Sequence, residues 1–268
     1  MRKITNTKLI ISGNIIELFE YEKGFIYGPI ENKSQGSTMS TNKNTNSMEN
    51  RQRSMENAQR NLKRIINANA GHWKDNNENI YMPIFLTLTF KENITAVKEA
   101  NYQFTKFKQR IDYEITKEKK SYLKYVGIIE FQKRGAVHYH VLFFNMPFIE
   151  MIYDKIEKIW GEGFIIVKPI KNIRSVASYV CKYMTKNKAD QRLCGQKSYF
   201  SSKGLKKPIE ILDKNRIKNL MKLIPDSVEF EDQFKSEYCG NIKYRRYNIA
   251  EHRNEKEILH NLLESHLV

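Results

Sequence analysis

One carboxylate and two imidazoles lie close together in the segment 127–144, which reads GIIEFQKRGAVHYHVLFF. The carboxylate is Glu130, and the imidazoles are His138 and His140. Two apolar runs flank the residues 133–135 (KRG), a short glycine-containing connection that is typical of an antiparallel hairpin. A turn centred there predicts that Glu130 lies opposite His138, and alternation along a strand places all three side chains on one face. Such a donor set suits a divalent cation with open coordination positions.

Two other interpretations of this segment stay open at the level of sequence. A His-x-His pair on a strand is also typical of partly buried histidines that are hydrogen-bonded to their neighbours. A shift of the hairpin register by one residue would move Glu130 to the opposite face and separate it from the histidines. The predicted cluster therefore depends on the position of the turn.

A second group of reactive side chains follows in the segment 175–186, which reads SVASYVCKYMTK. Residues three and four apart are neighbours on a helix, so a helix here would gather Tyr179, Tyr183, Lys182 and Lys186 into one patch of phenols and cations. The alternative is an amphipathic helix whose tyrosines pack on the core and keep a polar tip. We expect the tyrosines to face the histidine hairpin.

These motifs together resemble those of the HUH endonucleases. HYH at 138–140 resembles their His-hydrophobe-His motif, YVCKYMTK at 179–186 resembles the tyrosine helix of the two-tyrosine members, and PIFLTLTF at 83–90 resembles the preceding strand. The combination is similar to rolling-circle replication initiators of small bacterial phages and plasmids, especially the microvirus type. The likeness covers roughly residues 80–190, and SYFSSKGLKKP at 198–208 resembles a segment that follows the tyrosine helix in related proteins.

The resemblance implies an enzyme that nicks single-stranded DNA at an origin hairpin and later rejoins the ends. A tyrosine would attack the phosphodiester, form a 5′-phosphotyrosine and leave a 3′-hydroxyl for a polymerase, with Tyr179 as the first nucleophile. The cofactor would be Mg²⁺ or Mn²⁺, no nucleotide cofactor would be required, and a host helicase or supercoiling would separate the strands. The implied catalytic residues are Tyr179, Tyr183, Lys182 and Lys186, and the implied metal ligands are Glu130, His138 and His140.

The composition indicates a protein that binds polyanions. The chain has 46 Lys and Arg against 30 Asp and Glu, a formal charge of +16, and 12% aromatic residues. Such a field attracts phosphate backbones and makes binding depend on salt. The alternatives are charge that only confers solubility, or binding to a membrane surface, for which we see no strong basic amphipathic helix. Composition does not distinguish DNA from RNA.

Cysteine usage and hydropathy favour a cytoplasmic protein, and the resemblance implies that the cytoplasm is that of a bacterial host. The three cysteines, Cys181, Cys194 and Cys239, have no CxxC spacing, so we expect neither a disulfide framework nor a structural zinc site. No apolar run is long enough to span a membrane, and the first residues do not have the pattern of a signal peptide. We expect no membrane partner.

The middle of the chain alternates between strand and helix patterns. The expected strands are 84–90, 122–131, 136–144 and 163–170, and the expected helices are 94–112, 147–160 and 173–187. This is a β-α-β-β-α-β order, and it predicts an α+β, ferredoxin-like (RRM-like) antiparallel sheet of the HUH endonuclease type. We expect its helices on one face, and the first and third strands at its centre.

Three regions are expected along the chain. Residues 1–80 would hold a hairpin (8–28), a polar linker (31–50) and a basic helix with one apolar face from Met55. Residues 81–190 would form the endonuclease core. Residues 191–268 would be a basic extension with a helix at 212–223, a strand pair around 239–241 and a final helix from about Ala250.

Two rival functions are compatible with these motifs. A plasmid relaxase or a single-strand transposase would share the HUH site, although relaxases commonly carry three histidines. A non-catalytic nucleic-acid-binding module of the same fold would use the histidines for packing or base stacking. Metal dependence of cleavage separates such a module from an enzyme.

Overall fold

The structure is a computed structural model, which describes residues 3–27, 47–147, 152–170, 172–186, 192, 197, 199–224, 226–250 and 258. The chain forms two compact units, one from Met1–Ser47 with Lys207–Val268 and one from Met48–Lys206. Helices accompany antiparallel sheets, so the predicted α+β class is confirmed. None of the helices within the described ranges is long and apolar enough to cross a membrane.

The elements are numbered in chain order. The strands are β1 (Lys3–Ser12), β2 (Ile15–Tyr27), β3 (Ile84–Thr89), β4 (Tyr125–Phe131), β5 (Val137–Phe143), β6 (Ile165–Pro169), β7 (Phe200–Ser201), β8 (Ile209–Ile211), β9 (Phe230–Ser236) and β10 (Gly240–Asn248). The helices are α1 (Ser47–Asn69), α2 (Val97–Thr116), α3 (Ile152–Trp160), α4 (Ile173–Lys186) and α5 (Lys214–Met221).

The unit Met48–Lys206 is built on an antiparallel sheet with the strand order β6-β3-β5-β4-β7. The predicted alternation of strands and helices from β3 to α4 is confirmed. The first and third strands of that alternation, β3 and β5, lie at its centre as expected, with β6 at one edge. Of the helix expected at 147–160, residues 148–151 lie outside the described residues.

Side chains on the two faces of this sheet pack against different helices. One face carries Leu86, Tyr139 and Val141, and it packs against buried residues of α2 and α3. The opposite face carries Phe85 and Leu142, and it packs against α1 and α4. The expectation that the helices lie on one face is therefore wrong. Both faces of this sheet carry apolar side chains, so helices must cover each of them.

The basic helix expected from Met55 is part of α1. Its predicted apolar face is confirmed, since Leu62 and Ile66 are fully buried and Ala58 and Ile65 pack beside them. The helix already begins at Ser47, so the last residues of the polar stretch 31–50 are helical, while 31–46 lie outside the described residues.

The other unit joins the two ends of the chain in one sheet with the order β8-β1-β2-β10-β9. The hairpin expected at 8–28 is confirmed by the pairing of Ser12 with Ile15, and the strand pair around 239–241 is confirmed by β9 and β10. Leu9 pairs with Ile211, so segments expected in separate regions share a core. The expected helix at 212–223 corresponds to α5, and most of the helix expected from about Ala250 lies outside the described residues.

Gly127 in β4 gives a test of the packing in the unit that carries the sequence-predicted site. It pairs with Phe200 of β7, and a Cβ at Gly127 would lie 2.2 Å from Cζ of the Phe200 ring. That ring is held in turn by an edge contact with Phe104. We expect Gly127→Ala to lower the free energy of unfolding by about 1–3 kcal/mol, because the core has no room for the methyl group.

The measurement is urea unfolding followed by tryptophan fluorescence, since both tryptophans, Trp73 and Trp160, lie in this unit. Ser201→Ala, on the same strand as Phe200 and exposed, is the control and should have little effect. In a Phe200→Ala background the Gly127→Ala change should cost less, because the overlapping ring is gone. An equal cost in both backgrounds would contradict the packing described.

Candidate functional site: a Glu-His-His cluster beneath two tyrosines

The β4–β5 hairpin sets the positions of the acidic and imidazole side chains. Glu130 pairs with His138, which confirms the predicted register, and His140 follows two residues later on the same face. The turn is closed by the amide of Gly135, which donates to the carbonyl of Gln132 over 2.8 Å. Gly135 has a φ of +91°, a backbone conformation that residues with a Cβ rarely adopt.

Arg134 ties this turn to the end of β3. Its guanidinium donates to the carbonyl of Phe90 and, over 3.3 Å, to that of Lys91. Its Nε also donates to the side chain of Gln132 over 3.1 Å. The hairpin is thereby held against the neighbouring strand, which opposes a shift of its register.

The three side chains converge. One donor atom from each of Glu130, His138 and His140 can be chosen so that all lie within 4.8 Å of one another. Nε2 of His140 lies 2.5 Å from a carboxylate oxygen of Glu130, and the two imidazole rings are 4.7 Å apart between centroids. His140 is buried, while Glu130 and His138 are partly exposed, so the cluster opens to solvent on one side.

Two threonines of the neighbouring strand β3 contact the imidazoles from the side. Thr87 pairs with His140, and its hydroxyl lies 3.2 Å from Nδ1 of that ring. Thr89 pairs with His138, and its hydroxyl lies 2.7 Å from Nε2 of that ring. These contacts fix the orientation of each ring. Sequence reasoning missed both residues, although their two-residue spacing in TLT matches that of the histidines.

Tyr139, between the two histidines, belongs to the opposite face. It is fully buried, and its hydroxyl donates to Oδ1 of Asn101 over 2.7 Å. Burial raises the pKa of the Tyr139 phenol well above its ordinary value, so it stays protonated and keeps this hydrogen bond. The bulky residue in the His-x-His motif therefore anchors the strand in the core without entering the cluster.

Helix α4 lies over the histidine face of the sheet. Its buried residues are Val176, Ala177, Val180, Cys181 and Met184. Burial raises the pKa of the Cys181 thiol to about 12, which suits a packing role. Tyr179 and Tyr183 are only partly buried, and both contact the ring of Phe85. The tyrosines thus pack on the sheet and also keep part of their surface at the site.

The two phenols lie at the histidine cluster. The ring of Tyr183 stacks on His140 with 3.8 Å between centroids and an interplanar angle of 29°. The hydroxyls of Tyr179 and Tyr183 are 3.1 Å apart. The structure therefore brings together the two tyrosines, both histidines and the glutamate that the sequence singled out.

The surroundings of Tyr183 shift the pKa of its phenol. Burial raises the pKa of its phenol well above the ordinary value, and the hydrogen bond to Tyr179 and the charge of Glu130 raise it further. Tyr183 therefore holds its proton at neutral pH and is suited to donate it in the hydrogen bond with Tyr179.

Lys168 of β6 brings an ammonium group to Tyr179. Its Nζ lies 3.5 Å from the hydroxyl of Tyr179 and 4.5 Å from the centre of that ring. Lys182 is exposed on α4, and Lys186 ends that helix with a side chain outside the described part. Sequence reasoning missed Lys168 because its position depends on the pairing of β6 with β3, which places it opposite Phe85.

The donor set fits a divalent cation. A carboxylate and two imidazoles from adjacent strands leave coordination positions for other ligands, and the side that opens to solvent allows access. The contact between Thr87 and His140 is of the kind that orients metal-binding imidazoles. The cluster could therefore hold a metal ion.

Comparison with known proteins relates this part of the chain to replication. A protein family whose description begins "Replication-associated protein" matches residues 83–188, a span that includes the whole cluster and both tyrosines. Residues 83–188 are therefore similar to replication-associated proteins.

A shorter similarity is found to a curated protein. The "Phasyl DNA replicon protein arp" of Escherichia coli is 40% identical over 58 residues, which cover 22% of this chain and 18% of that protein. The matched part is thus a small fraction of that relative's length. No solved structure gives a significant match.

The role of Thr87 can be tested through metal affinity. We expect Thr87→Val to weaken Mn²⁺ binding by about tenfold or more, because the substitution keeps the volume but removes the hydroxyl that orients His140. Isothermal titration calorimetry measures the affinity. Thr87→Ser, which retains a hydroxyl, should bind nearly as well as the wild type, and Thr105→Val on α2 serves as a control. A wild-type affinity for Mn²⁺ in Thr87→Val would show that the Thr87 hydroxyl does not orient His140 for metal binding.

Proposed function

We propose that this protein initiates rolling-circle replication. It would nick single-stranded DNA at an origin by tyrosine attack, and rejoin the ends when a round is complete, as a metal-dependent endonuclease of the HUH type. The observation that carries the proposal is the stacking of Tyr183 on His140, which brings a pair of phenols to the Glu-His-His cluster. Packing alone does not require that two reactive groups meet at a set of metal-binding donors.

Glu130, His138 and His140 would hold the cation, either Mg²⁺ or Mn²⁺. When bound, such an ion neutralises charge on the phosphate oxygens and polarises the phosphorus. The protein's own contribution is to fix the donors on the paired strands β4 and β5, where Thr87 and the rigid core behind Tyr139 limit their movement. A site on such elements holds its geometry better than one on loops.

Tyr179 is the better first nucleophile. A phenol has an ordinary pKa near 10 and needs its anionic form stabilised before it attacks at neutral pH. Two groups can stabilise the anion at the hydroxyl of Tyr179. They are the ammonium of Lys168 at 3.5 Å and the hydroxyl of Tyr183 at 3.1 Å. Burial raises the pKa of Tyr183, so its phenol would donate a hydrogen bond to Tyr179 in the first step and act as nucleophile in the second.

The first step exchanges one phosphate ester for another. The oxygen of Tyr179 forms a bond to phosphorus while the bond from phosphorus to the 3′ oxygen breaks. The phenol loses its proton, and the departing oxygen gains one to become a free 3′-hydroxyl. Because the 5′-phosphotyrosine keeps the energy of the broken bond, rejoining needs no nucleotide cofactor. A host polymerase would extend the 3′-hydroxyl, and a host helicase would separate the strands.

Several findings support this function over its rivals. The order β6-β3-β5-β4 with two central strands supports a ferredoxin-like sheet of the HUH type in the region 81–190. The match to replication-associated proteins supports replication over conjugation or transposition. The tyrosines at the cluster support an enzyme over a binding module that only packs its histidines. The bacterial cytoplasm would be its place of action, with Lys182 and Lys186 as additional cations for the DNA.

The proposal predicts a covalent adduct. Labelled single-stranded oligonucleotides tiled across the replicon that carries the gene, incubated with the protein and Mn²⁺, should include one that gives a protein-bound band on a denaturing gel. A chelator, or His138→Ala, should abolish the band, because the phosphate then lacks its neutralising charge. The double variant Tyr179→Phe, Tyr183→Phe should also give none, since it lacks both of the proposed nucleophiles.

The control for these variants is Tyr102→Phe, which changes an exposed tyrosine on α2. It should form the adduct as the wild type does. An adduct that persists in the double tyrosine variant would refute the proposed nucleophiles. DNA binding without any cleavage by the wild type across the whole tiled set would favour the non-catalytic module.

A further prediction concerns Lys168. Lys168→Ala should slow the single-turnover formation of the adduct by at least about tenfold, because the phenolate of Tyr179 loses its nearest described cation. Lys168→Arg should retain much of the rate, and Lys98→Ala, which removes an exposed lysine on α2, should leave it unchanged. An unchanged rate in Lys168→Ala would exclude a role for this ammonium in activating Tyr179.

A further inference from the structure

Strand β6 forms one edge of the sheet and extends the face that carries the cluster. Ile166 pairs with Thr87, which pairs in turn with His140, so these three side chains form one row across three strands. The amide of Thr89 donates to the carbonyl of Phe164 over 2.9 Å, which continues the register by one residue. Phe164 is thereby placed in the next row, with Thr89 and His138.

Both edge side chains are exposed although they are large and apolar. Phe164 is 54% exposed and Ile166 is 50% exposed, whereas Ile165 between them is fully buried on the opposite face. An alternating strand would normally place polar residues on its exposed side. Adjacent exposed apolar side chains beside a functional cluster are typical of a binding surface.

The position of Phe164 is fixed by its neighbour Gly163. A Cβ at Gly163 would lie 2.4 Å from both the amide nitrogen of Lys91 and the carbonyl oxygen of Thr89. The amide of Lys91 also donates to the carbonyl of Glu162 over 2.8 Å. The chain therefore approaches the end of β3 closely, and Phe164 projects from a well-supported backbone.

Cations lie near this apolar pair. Lys168 follows on the same face and reaches Tyr179, and the exposed Lys91 is tied through its amide to Glu162, two residues before Phe164. The whole chain carries a formal charge of +16. A surface that combines a π-face and an aliphatic side chain with neighbouring lysines matches unpaired nucleic acid, whose bases stack while its phosphates bind cations.

We propose that Phe164 and Ile166 form a platform for unpaired bases of the DNA strand next to the phosphate that is cut. The inference rests on the proposed function and names how that site would select single-stranded DNA. The platform lies two strand spacings from the histidines, which is about 10 Å. A paired base cannot expose its face to such a surface, so duplex DNA would lack this contact.

The test compares two ligands that differ only in their bases. Fluorescence anisotropy in chelator measures the affinity for labelled oligo(dT) and for an abasic oligonucleotide of equal length, without cleavage. The wild type should prefer oligo(dT), and the double variant Phe164→Ala, Ile166→Ala should lose about tenfold in affinity for it. Its affinity for the abasic strand should stay unchanged, because the lysines remain.

Matched variants separate this contact from a general loss of structure. Phe164→Tyr keeps a ring and should keep the preference for bases, and Tyr102→Ala removes an exposed aromatic residue on α2 and should also keep it. Because both platform residues are exposed, tryptophan fluorescence of the double variant should match the wild type. An unchanged preference in the double variant would overturn the platform.

Three further outcomes separate a failure of the platform, a failure of the proposed nicking activity, and a contact between copies of the chain. A wild type that cleaves DNA, with a double variant that binds and cleaves equally well, would refute the platform and leave the nickase intact. A wild type that prefers bases but forms no adduct would refute the nickase alone. A dimer in light scattering that the double variant loses, with base preference retained, would assign this edge to a contact between copies and overturn the proposal.

Discussion

The register of one hairpin is the constraint on which the site depends. Glu130 and His138 share a face only because the turn between them closes at Gly135, and a slip of one residue would send the carboxylate into the core behind Tyr139. The core opposes such a slip, since the side chains that alternate with the histidines are fully buried. Arg134 adds a tether from the turn to β3.

The aromatic side chains that pack α4 on the sheet are the same ones that the proposed chemistry would use. Tyr183 covers His140 and Phe85 as a packing residue would, and its hydroxyl simultaneously meets that of Tyr179. Burial raises the pKa of Tyr183, while the hydroxyl of Tyr179 lies 3.5 Å from the ammonium of Lys168. Two identical residues one helical turn apart therefore have different environments, as the two unequal steps of the proposed reaction would require.

Local patterns in the sequence were sufficient for the elements that carry the cluster. The glycine in the turn determined the pairing of Glu130 with His138, and the spacing of the tyrosines determined their common face on α4. The contributions of Thr87, Lys168 and Phe164 depend on the pairing of β3 with distant strands, which no local pattern encodes. The same reason explains why the joining of Leu9 with Ile211 in one sheet was not predicted.

The central claim is that one acid and two imidazoles bind a single cation beside the phenols. Pulsed electron paramagnetic resonance of the protein loaded with Mn²⁺ tests it directly, because imidazole nitrogens bound to the ion modulate the spin echo. We predict a modulation from two imidazoles in the wild type and from one in each of His138→Ala and His140→Ala. A Mn²⁺ signal without nitrogen coupling, or one that neither substitution alters, would contradict the site.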